Sequence, residues 1–86
     1  MRLDLFLKQT GLIKRRPIAK AMCDAGKIAR NGVAGKAGDE VRAGDLLSLN
    51  YGPKTMDVEV LDVPSGAVGK AQREQYFRVT AERREE

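Results

Sequence analysis

The sequence predicts an α+β fold, with helices first and strands after, on three observations. Apolar residues recur at helical spacing near the amino terminus, in residues 3–7 and 18–25. They alternate singly with polar residues across Met56–Val60. Between these regions lie the turn signals Asn31-Gly32 and Ala43-Gly44-Asp45. The chain has 86 residues, is 42% hydrophobic and only 5% aromatic, and lacks Trp, so one modest core must rest on Leu, Val, Ile, Met and Ala.

Each element follows in order. Leu3, Phe6 and Leu7 form the apolar stripe of a short first helix, with Asp4 near its start and Lys8 one turn later. Gly11 suits the left-handed position past that helix. A second helix is expected from about Pro17, since proline is favoured in the first turn, to Gly26, with Ile18, Ala21, Met22 and Ala25 facing inward. Asn31-Gly32 marks a tight hairpin. A strand is expected over 46–51, another over 55–63, and a last short one over 76–80. The turn-rich stretch "PSGAVGKAQREQ" reads as a short helix or a loop, and the tail "AERREE" as frayed.

Charge is distributed unevenly. Residues 1–36 carry nine cations and two acids, a net of +7; residues 37–86 carry seven cations and ten acids, a net of −3. Such a split implies one basic face, for which a nucleic acid is the usual partner. Lys14, Arg15 and Arg16 crowd the start of the second helix, where the helix dipole already repels cations. Helix-start amides with flanking Arg and Lys are suited to phosphate. Lys20 lies one turn beyond Arg16, and Lys27 and Arg30 extend the basic surface. The few aromatics argue against stacking on single strands and favour structured RNA, contacted through phosphates and shape.

Other chemistries find little support. There is no His, and a lone Cys23 leaves almost no metal site and no internal disulfide; it reads as a small buried hydrophobe. No cofactor is expected. No run is long enough to span a membrane, Asp4 and Lys8 interrupt any export-signal core, and a cytoplasmic location is expected.

The stretch from Arg2-Leu3-Asp4 and Phe6-Leu7, through Lys14-Arg15-Arg16, Ala19, Ala21, Gly26 and Val33, to Val41 and Gly44-Asp45 resembles the S4-type RNA-binding domain. The resemblance covers residues 1–50, leaving 51–86 as a β extension and tail. It implies the alpha-L fold: two helices packed on a small bent sheet, with RNA along the helical face. The whole chain is similar to the RqcP-like family of bacterial ribosome-associated quality-control factors. Members bind the large ribosomal subunit, through its rRNA and the P-site peptidyl-tRNA, and support an RqcH-type factor that adds alanine tails. The alternative is the related heat-shock type that recycles large subunits, whose members usually have a longer basic tail. Carried over, Arg2 and Arg16 become the leading RNA contacts. Asp4 either orients a neighbouring cation or pairs with Lys8. The expected RNA-binding set is Arg2, Asp4, Lys8, Lys14, Arg15, Arg16, Lys20, Lys27 and Arg30, on a monomer. An RNA-modifying enzyme is disfavoured by the missing site geometry. A protein adaptor using the acidic half is compatible with RNA binding.

Overall fold

Helices precede strands, as the periodicity predicts. The computed structural model describes residues 1–84. It contains α1 (Leu3–Gln9), α2 (Arg16–Asp24), β1 (Ile28–Arg30), β2 (Val33–Ala34), β3 (Leu46–Asn50), β4 (Lys54–Val60), a 3-10 helix (Lys70–Gln75) and β5 (Phe77–Arg84). The strands form one antiparallel sheet in the order β2-β1-β3-β4-β5, which runs without interruption across residues 50–51.

The core follows from the two periodicities. Leu3, Phe6 and Leu7 of α1 are fully buried against Ile28, Leu47, Leu49, Val58 and Val60 of the sheet. Strict alternation on β3 turns Leu47 and Leu49 inward and leaves Ser48 on the opposite face. That outer face carries Asp57 and Glu59: Asp57 accepts from Ser48 at 2.7 Å and pairs with Arg83 at 3.2 Å, and Glu59 pairs with Arg78. Asp57 and Glu59 are thus engaged by cations of their own sheet, on the face away from the helices. Glu82 pairs with Lys54 on the other face, beside Met56 at the far end of the sheet.

The chain start is stitched to the loop after β2. Leu3 and Asp4 donate their amides to the carbonyls of Asp39 (2.8 Å) and Ala37 (3.1 Å), and Val41 donates to Met1 at 2.9 Å. Gly35 permits this: a Cβ there would lie 2.8 Å from Leu3 Cδ2.

Two expectations are corrected. The buried face of α2 is Ala19 and Cys23 with Met22 half-buried, whereas Ile18, Ala21 and Ala25 are exposed. Helical spacing offered both stripes, and the one carrying Ala19 and Cys23 faces the core. The last strand is longer than 76–80, because residues 81–84 pair with Lys54–Asp57 rather than fraying. Residues 85–86 of the expected frayed tail lie outside the described residues. The stretch 64–75 contains the 3-10 helix.

At the hairpin, Asn31 has φ 53° and Gly32 φ 82°, as a two-residue turn with both central residues left-handed requires. Asn31 also ties the hairpin to the sheet: its Nδ2 donates to Asp45 at 3.1 Å and its Oδ1 accepts from the Leu46 amide at 2.9 Å. Asn31→Ala is expected to cost about 2–3 kcal/mol, from left-handed strain plus two lost hydrogen bonds. Asn31→Gly, which keeps only the backbone freedom, should cost about 1 kcal/mol less; urea unfolding of both variants measures the difference.

Candidate nucleic-acid interface

The start of α2 is built without an anion of its own. Its first turn has no acid and its N-cap, Arg15, makes no side-chain cap. Few amides remain open there. Pro17 has none, and those of Ile18 and Ala19 already donate to Arg15 O at 3.1 Å each. The expected amide cradle for phosphate is therefore largely used up. The compensating negative charge comes from the neighbouring helix, as Asp4.

Asp4 is in the first turn of α1, its side chain only 5% exposed. One carboxylate oxygen accepts from Arg2 Nε at 3.2 Å and from the Leu5 amide at 2.9 Å; the other accepts from Arg16 Nε at 3.1 Å. Of the two roles open to Asp4, the orienting one is realised, and its partners are Arg2 and Arg16. Burial pushes the Asp4 carboxyl up, but the hydrogen bonds from Arg16 and Arg2 outweigh it and hold the group below its ordinary 3.8. Both arginines bind through Nε, and their side chains remain 55% and 44% exposed. The outer guanidinium nitrogens of both therefore face solvent. One buried carboxylate thus holds two planar forks side by side, a geometry suited to phosphate oxygens.

The other expected cations separate into groups. Lys20 is exposed one turn beyond Arg16, and Arg15 is exposed at the helix start. Lys27 borders an exposed apolar patch made by Ile18, Ala21 and Ala25. Arg30 turns inward to Asp45 (3.5 Å) and Asp39 (3.9 Å), so its charge is largely met within the chain. Lys8 and Lys14 lie away from the Asp4 cluster, in a cavity shared with Lys70 and Arg73. These last two were missed; the available signal was a pair of cations three apart in a stretch with no apolar stripe. Burial pushes the Cys23 thiol up to about 11, so it is no nucleophile at neutral pH.

A family model described as the S4 domain matches residues 1–47. The chain belongs to the S4 domain family. The S4 segment contains α1, α2, the hairpin and the start of β3, and with them the whole Asp4 cluster. The chain is 40% identical over all 86 residues to a Listeria monocytogenes protein named RQC P-site tRNA stabilizing factor, covering 94% of it. It is 48% identical over 60 residues to the Bacillus subtilis protein of the same name, 70% of each chain. Among solved structures, Vibrio cholerae Heat Shock Protein 15, described as trimeric, superposes with a TM-score of 0.87 at 27% identity, over 94% of this chain and 82% of that one. The hypothetical protein HP1423 superposes with a TM-score of 0.82 at 36% identity, over 94% and 98%.

The Asp4 cluster has a pH signature. A carboxyl whose folded pKa is depressed stabilises fully above its unfolded value and loses that contribution as pH falls through the folded one. Asp4→Asn is expected to cost about 1–2 kcal/mol at pH 7, modest because both arginines are half-exposed and screened. The gap between wild type and variant should narrow as pH falls below 3.8, where Asp4 of the unfolded chain protonates before the native carboxylate does. Denaturant unfolding at pH 7 and at progressively lower pH checks both points.

Proposed function

We propose that the chain is an RNA-binding factor of ribosome-associated quality control that holds P-site tRNA on the large ribosomal subunit. It acts by positioning, without a catalytic step. The observation that carries the reading is the pair of arginine forks, Arg2 and Arg16, locked by one buried carboxylate within an S4 domain. Relatives aligned along the full chain or most of it carry a name of that meaning. In this reading Arg2 and Arg16 take phosphates of large-subunit rRNA or peptidyl-tRNA, Lys20 and Arg15 extend the contact, and the bound state favours alanine tailing by an RqcH-type factor. The factor works in the cytoplasm as a monomer.

A second reading, a recycling factor of the heat-shock type, draws on the close superposition with Heat Shock Protein 15. The two differ in what they need from the subunit. The first requires P-site tRNA and changes the level of alanine tails; the second does not change tailing.

Arg16→Ala should weaken sedimentation with tRNA-bearing large subunits about tenfold and reduce alanine tails in cells, since a charge-assisted contact contributes about 1.5–3 kcal/mol. Asp4→Asn separates orientation from bulk charge. It makes the protein more positive, yet should bind more weakly because both forks lose their anchor. Tighter binding by Asp4→Asn would mean that net charge alone drives association and would overturn the assignment to a built site.

A further inference from the structure

We propose that Lys8, Lys14, Lys70 and Arg73 form a second site, which takes a backbone phosphate of RNA. The proposal rests on the RNA-binding reading and adds to it a contact from the second half of the chain, beyond the S4 segment. The four side chains line a cavity of about 350 Å³ between the end of α1, the turn after it and the 3-10 helix. No acid lines that cavity. Among the described residues, none of the four cations has an ion-pair partner. Like charges gathered around one concave space repel unless an anion joins them.

Arg73 carries the strongest part of the argument. Among the described residues Arg15, Arg42, Arg73 and Arg84 meet no carboxylate, and of these only Arg73 is half-buried. Its Nε is buried and has no hydrogen-bond partner. A buried donor left unmade is costly, and most such groups have a partner that completes them. The guanidinium lies over Gly11, where a Cβ would come within 2.5 Å of Arg73 Cζ. Gly11 is thus demanded twice, by its φ of 76° and by the arginine above it. The fork is seated, and Lys8, Lys14 and Lys70 line the same cavity.

The choice of RNA follows from placement. Asp4 and Lys8 sit one turn apart on α1, about 6 Å along the helix axis. The Arg2–Arg16 forks and this cavity therefore lie at the two ends of one short helix, within reach of successive phosphates of a single strand.

The test uses the full chain and purified large ribosomal subunits carrying peptidyl-tRNA. Three variants are compared: Lys14→Gln/Lys70→Gln, the charge-keeping Lys14→Arg/Lys70→Arg, and Arg16→Ala. Thermal melts confirm folding of each. The Gln double variant should bind about tenfold more weakly, with a salt dependence shallower by roughly one to two phosphate contacts, and the Arg double variant should retain binding. If the Gln variant binds as wild type while Arg16→Ala fails, the cavity proposal is overturned and the RNA-binding reading stands. If both bind as wild type, both fall. A separate arm titrates inorganic phosphate at constant ionic strength while following the Gly11 amide by NMR. A shift there with no loss of subunit binding in the Gln variant assigns the cavity to free anions and overturns RNA as its ligand.

Discussion

Asp4 is the constraint on which the helical face depends. Its carboxylate is buried where the starts of α1 and α2 meet, and it satisfies three donors: the Leu5 amide and the Nε groups of Arg2 and Arg16. Without it, two guanidinium groups would face each other over a helix start that already repels them. With it, their mutual repulsion is offset and their outer nitrogens point to solvent in a common arrangement. The backbone ladder between residues 1–4 and 37–41 holds Arg2 at the right height, so the position of one fork derives from a loop more than thirty residues away.

The acidic second half serves a structural purpose that leaves the basic face undisturbed. Asp57, Glu59 and Glu82 are matched by Arg83, Arg78 and Lys54 across β4 and β5. Alternation along the strands puts the Asp57 and Glu59 pairs opposite the core face, where the helices pack, and leaves Lys54 and Glu82 at the far edge beside Met56. Among the described side chains, the positive surface of the first half therefore meets second-half acids only at Arg30, which pairs with Asp39 and Asp45. It is extended elsewhere, because the 3-10 helix brings Lys70 and Arg73 against the end of α1.

Most of the fold was legible in residue order. The stripe Leu3, Phe6, Leu7 is unambiguous, Asn31-Gly32 permits little but a tight hairpin, and the alternation from Met56 to Val60 admits only a strand with one buried face. The site was half legible. Arg2 and Arg16 were accessible through the S4 resemblance, but Asp4 had two open roles, since an aspartate two residues from Arg2 and four from Lys8 can pair with either. Two stripes share the spacing of α2, and the choice between Ile18 and Ala19 is made only by the tertiary packing that buries Ala19 and Cys23.

The sequence by itself determined the α+β class, the hairpin, the core stripe of α1 and the concentration of cations in the first half, because these follow from periodicity, turn chemistry and composition, all local properties. Only the tertiary structure decided which cations have partners. It gave Arg30 to Asp45, gave Arg16 to Asp4, and left Arg73 over Gly11 without an acceptor among the described residues. The reason is physical: ion pairing acts over a few ångströms of space, and residues 4 and 16, or 11 and 73, become neighbours only when the chain has folded.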